Sequence, residues 1–181
     1  MLPIFLYGCT SHEATLFPIT KGSFWKYTGK AGNSPQEMSA TVTSSGKHSD
    51  SVQQAVIQWS SNGHPFQDET YLLSSSKLER LSGGVYGNNH FEPSLTVLQL
   101  PLVIGKSWEW KGRIVSAAGG SGAGEMKMQV TGRDELVTKA GKFTAFRVAM
   151  LESMDSTSGI VSTTATLWFA DGVGLVKQES D

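Results

Sequence analysis

Apolar and polar residues alternate along almost the whole chain. Met126, Met128 and Val130 are separated by Lys127 and Gln129, and Trp108, Trp110 and Ile114 share one parity while Glu109, Lys111 and Arg113 hold the other. Ala55, Ile57 and Trp59 interleave with Gln54, Val56 and Gln58. Phe146, Val148 and Met150 interleave with Ala145, Arg147 and Ala149. Successive side chains of a strand point to opposite faces, so this period of two marks antiparallel strands covered on one side. The pattern predicts strands near 23–29, 37–45, 51–60, 67–74, 77–82, 95–100, 107–116, 125–133, 143–152, 160–169 and 174–179. Turn residues separate them: Gly32-Asn33-Ser34-Pro35, Ser61-Asn62-Gly63, Gly87-Asn88-Asn89, Ala140-Gly141 and Asp171-Gly172. The best helical stretch, Asp134 to Lys139, is too short to stand as a helix. The expectation is an all-β fold: one antiparallel meander sheet of about ten strands, curled or an incomplete barrel with an apolar concave side, and little helix.

Two segments repeat. FPITKGSFWKYTG from Phe17 matches LPLVIGKSWEWKG from Leu100 at a constant offset. Pro18 aligns with Pro101, Gly22 with Gly105, Trp25 with Trp108, Tyr27 with Trp110 and Gly29 with Gly112. Pro and Gly suit a chain that arrives extended, turns and enters a strand. The aromatic residues at i and i+2 then share a face. They are candidate ligand contacts, a pair of aromatic clamps. The alternative is that each pair nucleates the core of one half of the sheet, the usual role of Trp and Tyr at strand starts.

Composition narrows the function. Hydrophobic residues at 39 % suffice for a core, while charged residues at 17 % are sparse for a cytosolic chain. A net charge of −1 leaves no basic excess for phosphate backbones, so no nucleic-acid partner is expected. With Cys9 as the one cysteine, an internal disulfide and a cysteine-based zinc site are excluded.

Cys9 closes the run Leu6-Tyr7-Gly8-Cys9, after the short apolar stretch from Leu2. This resembles the end of a bacterial lipoprotein signal, in which a small residue precedes the thiol that accepts diacylglycerol. The resemblance implies lipidation of Cys9. It also implies a residual signal segment at 1–8 and a polar tether at 9–15; the alternation and the repeat give a single β domain at 16–181, whose two halves begin with the motifs at 17–29 and 100–112.

Catalytic chemistry is hard to find. The run Gly119-Gly120-Ser121-Gly122-Ala123-Gly124 lacks the Lys and Ser/Thr of a phosphate loop, and it reads as a flexible hairpin loop. His12, His48, His64 and His90 are scattered, with no metal-ligand spacing among them. Asn88, Asn89, His90 and Glu92 are a dense polar group that reads as an ordinary loop. Asp68-Glu69 and Asp134-Glu135 are adjacent, and neighbours in a strand face opposite ways. No enzyme, metal or cofactor is expected.

Two further segments carry a family likeness. VTKAGKFTAFRV from Val137 and LWFADGVGLVKQES from Leu167, taken with PLVIGKSW, resemble exported bacterial lipoprotein domains of the TapB type. Those are similar in architecture to the LolA/LolB carriers, in which a curled sheet holds acyl chains. The resemblance implies a cell-envelope location, on the periplasmic face of the outer membrane in a Gram-negative cell. It names no catalytic residue, and the helices that lid the carriers have no counterpart in this pattern. Two functions follow. In one, a protein anchored through Cys9 binds an apolar ligand or an envelope protein on its concave face. In the other, it is a structural or assembly lipoprotein with a filled core. An apolar cavity would favour the first; convergent polar groups with shifted pKa values would favour a hydrolase instead.

Overall fold

The structure is a computed structural model, and it describes residues 16–31, 34–83, 89–117, 119–156 and 159–180. Alternation becomes strand wherever it occurs. The chain forms β1 (Phe24–Ala31), β2 (Ser34–Ser49), β3 (Val52–Ser61), β4 (His64–Leu73), β5 (Lys77–Ser82), β6 (Asn89–Gln99), β7 (Ser107–Ser116), β8 (Ser121–Thr138), β9 (Gly141–Ser156), β10 (Gly159–Ala170) and β11 (Gly174–Ser180). They make one antiparallel 11-stranded sheet in sequence order, curled into a half-barrel, with no helix among the described residues. The stretch Asp134 to Lys139 is mostly the end of β8. The expected flexible glycine loop is shorter than the sequence suggests. Only its start is a loop, and Ser121 to Gly124 is already strand, paired with Val115 to Gly112. The signal segment, the tether and Cys9 lie outside the described residues, as does Asn88.

One parity of every long strand faces inward. The core gathers Ala40 and Val42 of β2, Ala55 and Ile57 of β3, Tyr71 and Leu73 of β4, Leu78 of β5, and Leu95 and Leu98 of β6. From the other half come Trp108 and Trp110 of β7, Met126, Met128 and Val130 of β8, Val148 of β9, and Leu167 and Phe169 of β10. Leu98, Val130 and Val148 have no exposed surface. Each aliphatic side chain buried this completely contributes about 1.5–3 kcal/mol.

The two ends of the half-barrel differ. At one end the segment before β1 and the segment between β6 and β7 fold inward, and buried Leu16, Ile19 and Leu102 plug the opening. Phe17 stacks on Trp25 and Tyr71, with ring centroids at 5.6 and 6.3 Å. The opposite end, where β3 meets β4 and β9 meets β10, is the mouth.

A smaller core sits on the convex side. Past an irregularity between Val130 and Gly132, the β8–β9 hairpin packs Leu136 and Phe143 against Trp168, Ala145, Ala170, Val173 and Val176. Trp168 donates its indole N–H to Asp134 at 2.8 Å, and Arg147 donates to the same carboxylate at 3.2 Å. Lys177 lies 4.4 Å from the Trp168 ring centre. This covers the outer surface of β10 and β11, so the convex face is not uniformly polar.

Candidate functional site: the repeated seams and the mouth

The repeated motif builds the same device twice. Gly22 and Gly105 have φ of +90° and +89°, a left-handed conformation that favours glycine. Each donates its N–H to the strand after next in the chain, Gly22 to Val42 O and Gly105 to Val130 O. The residue after each glycine donates back to the residue three earlier, Ser23 to Thr20 O and Lys106 to Val103 O. It then accepts from the strand, Val42 N to Ser23 O and Val130 N to Lys106 O, each at 2.9 Å. Ile19 and Leu102, matched in the repeat, are both buried.

Trp25 and Tyr27 of β1, and Trp108 and Trp110 of β7, follow these turns at equivalent strand positions, and all four face the interior. Trp108 and Trp110 are 6 % exposed, whereas Trp25 and Tyr27 are half-buried. Their polar atoms share one task. The β6–β7 ladder spans only Asn89–Glu92 and Arg113–Ser116, and beyond it Trp110 donates to Pro93 O at 2.9 Å and Trp108 to Thr96 O at 3.2 Å. β1 and β11 stand at opposite ends of the strand order. Between them Trp25 donates to Val173 O at 2.6 Å and Tyr27 to Leu175 O at 3.0 Å. Each aromatic pair therefore closes a seam by giving side-chain donors to carbonyls that no ladder uses there. Burial pushes the Tyr27 hydroxyl far above the ordinary tyrosine range, so it stays a neutral donor at every physiological pH.

The second cluster lies just inside the mouth, and sequence reasoning missed it. Glu69 points inward between Ile57 and Tyr71 and is 4 % exposed. Its carboxylate accepts four bonds. Gln67 and Arg80 each donate to Oε1 at 2.7 Å. Tyr71 donates to Oε2 at 2.6 Å and Trp59 at 2.8 Å. A buried carboxylate is tolerated only when paired and fully bonded, and here every donor comes from β3, β4 or β5. The Arg80 guanidinium also lies 4.9 Å from the Phe91 ring centre, and its Nε is buried without a partner among the described residues. Burial works against the Arg80 charge, but Tyr71, Glu69 and Glu152 outweigh it and hold its pKa above the ordinary value. Burial raises the Tyr71 hydroxyl and the Glu69 charge adds to that, against Arg80. Glu152 of β9 faces the cluster from the opposite wall; burial raises its pKa and Arg80 draws it back. Tyr27 stacks on Trp59 at 5.9 Å, which links the β1–β11 seam to the mouth.

The signal for this cluster was parity. Glu69 and Arg80 occupy inward positions in strands whose other inward residues are Tyr71, Leu73 and Leu78. The adjacent pair Asp68-Glu69 does face opposite ways: Asp68 is exposed and bonded to Gln58. Asn89 and Glu92 lie within β6 and His90 is exposed there, so the expected polar loop is partly strand. Among the described residues no group of His, Cys, Asp and Glu is arranged to hold a metal.

Two open clefts lie away from the aromatic interior. One, of about 520 Å³, runs between Thr28 and Lys30 of β1, Glu37 of β2 and Lys139 at the tip of the β8–β9 hairpin. The other, of about 270 Å³, lies over Gly112, Glu125, Asp155 and Ile160.

The family described as DUF3108-like matches residues 118–181, the part that begins before β8 and ends with β11. No curated protein matches the chain. Two solved structures share the fold across nearly its whole length. One is a "putative exported protein with YmcC-like fold" from Bacteroides fragilis, with a TM-score of 0.63 and 11 % identity over 93 % of this chain and 92 % of that one. The other is a "putative lipoprotein" from Parabacteroides distasonis, with a TM-score of 0.64 and 15 % identity over 92 % of this chain and 91 % of that one.

Proposed function

We propose that this is a lipid-anchored cell-envelope protein that works as a scaffold through its outer surface, its concave side being filled by its own side chains. The observation that carries the second half is the interior. Walls from both halves meet there, with Phe17 against Gly174 and Glu152 facing Arg80, and Phe17 also stacks on Tyr71. Met126, Met128, Val130 and Val148 occupy the space an acyl chain would need. The first half rests on the Leu-x-Gly-Cys pattern at Cys9 and draws support from the shared fold of the exported protein and the lipoprotein described above. Likeness to the TapB-type domains and to LolA/LolB carriers extends, on this reading, to the curled sheet and not to carriage. The seam aromatics Trp25, Tyr27, Trp108 and Trp110 are then closures, not ligand clamps.

The Glu69 cluster fits this reading better than a catalytic one. All four of its donors come from neighbouring side chains, and its tyrosine is held protonated, so neither a free base nor a nucleophile is presented. In a Gram-negative cell the residue after Cys9, Thr10 and not Asp, supports the periplasmic face of the outer membrane. The test is native mass spectrometry of the protein purified from its own envelope. The expected mass carries acyl chains on Cys9 and no second, non-covalent lipid. A stoichiometric lipid released by mild activation would overturn the filled-core reading, and an unmodified Cys9 would overturn the anchor.

A further inference from the structure

We infer that the plugged end of the half-barrel is the end that rests on the membrane, with Val103 and Ile104 inserting among the lipid headgroups. This rests on the proposed acylation of Cys9 for the anchor, and on independent features for the surface. Val103 and Ile104 form the tip of the turn between β6 and β7 and are 55 % and 60 % exposed, next to buried Leu102. The tip is held rigidly by the Gly105–Val130 and Lys106–Val103 backbone bonds. Its repeat counterpart, Thr20-Lys21, stands at the same end of the sheet and leads into Phe24, which is 58 % exposed. The apolar tip at this end is thus Val103-Ile104, while Phe24 lies on the outward face of β1.

Exposed charge at this end is mixed. Lys21 and Lys47 are exposed there, with no ion pair recorded among the described residues, and the Lys21 N–H bonds Ser45 on the strand that carries Lys47. Asp50 and Asp171 are the exposed acids in these turns. The mouth end also exposes apolar side chains, Ile160 at 74 % and Val161 at 49 %. Ile160 pairs with Asp155 and shares a cleft with Glu125 and Lys111, which form an ion pair with each other.

Reach points the same way. Leu16 is buried in the plug, and Cys9 lies seven residues before it. Fully extended, that stretch spans at most about 25 Å. A strand of ten residues, such as β7, is itself about 33 Å long. A lipid on Cys9 therefore cannot bring the mouth to the bilayer while the plugged end stays away from it.

The test places an environment-sensitive fluorophore on Ile104→Cys or on Ile160→Cys in the full chain. The protein is acylated at Cys9, verified by mass, and reconstituted into vesicles of phosphatidylethanolamine and phosphatidylglycerol. The expected result is blue-shifted emission, quenched by lipid-borne quenchers, at position 104 and water-like emission at 160. Water-like emission at 104, or stronger quenching at 160, overturns the inference. A second arm uses the full-length Cys9→Ser chain, whose binding to the same vesicles reads the surface without the anchor. Val103→Glu with Ile104→Glu should weaken that binding about tenfold. Equal binding by the two chains, or none by either, overturns the surface. An unacylated parent overturns the anchor alone, and the second arm then decides.

Discussion

The two halves of the half-barrel begin with the same turn and the same aromatic pair, yet they close different gaps. In the second half Trp108 and Trp110 extend a short true ladder between β6 and β7 and are almost fully buried. In the first half Trp25 and Tyr27 face β11, at the far end of the strand order, and remain half-buried. The same residues thus act as reinforcement in one place and as the closure in the other. The lesson is that an aromatic donor can stand in for a strand pair: it satisfies a carbonyl and fills the volume between two walls at once. A half-barrel closed this way keeps free backbone edges on β1 and β11 without leaving its interior open.

The largest test of this difference is Trp108→Ala. It should cost about 3–5 kcal/mol in denaturant unfolding, as for a core aromatic, while Trp25→Ala should cost about half as much because less of its surface is buried. Equal losses would mean that the first seam carries as much of the core as the second.

Next is the buried Glu69 carboxylate, which lies in the first half. Arg80→Ala strands the Glu69 carboxylate and should cost about 3–5 kcal/mol. Adding Glu69→Gln should recover much of that, because Gln keeps an acceptor for Tyr71 and Trp59 without the charge. Failure of the double variant to recover stability would show that Arg80 acts mainly through its packing on Phe91.

The matched glycines separate the seams with a single methyl group. A Cβ on Gly112 would lie 2.5 Å from the Trp110 ring and 2.6 Å from Glu92 O, so Gly112→Ala should cost about 1–3 kcal/mol. A Cβ on Gly29 meets nothing within 4 Å, so Gly29→Ala should stay within about 0.5 kcal/mol of the parent. Thermal unfolding of the pair reads this directly.

The smallest effect is on pH. Glu152 brings the second half's wall to the first half's charge cluster, and its folded pKa lies above the ordinary 4.5. The folded state then holds a proton that the unfolded state has released. Stability from this group is full below pH 4.5 and falls as pH rises toward the folded value. Glu152→Gln should remove that fall and make the protein slightly more stable at pH 7 than the parent. A parent and variant with parallel stability–pH curves would show that burial does not hold Glu152 above its ordinary range.

Strand number, direction of alternation and the repeat were legible in the chain because each depends on residues close in sequence. A period of two places Ala55, Ile57 and Trp59 on one face whatever lies opposite them, and Gly22 and Gly105 announce their turns by needing a left-handed backbone. The extra length of β2 and β8 was not legible, because Ser44 to Ser49 and Asp134 to Thr138 carry no apolar alternation toward the main core. Their pairing comes from β3 and β9 alongside them, and for β8 from the small core around Trp168. The role of the aromatic pairs was half legible: position and shared face followed from spacing, but the carbonyls they serve lie 12 to 148 residues away. The Glu69 cluster was visible only as a polar residue on an apolar parity. Local sequence fixes which face a side chain takes. What meets it there depends on how far the sheet curls, and that is decided by the summed packing of both walls.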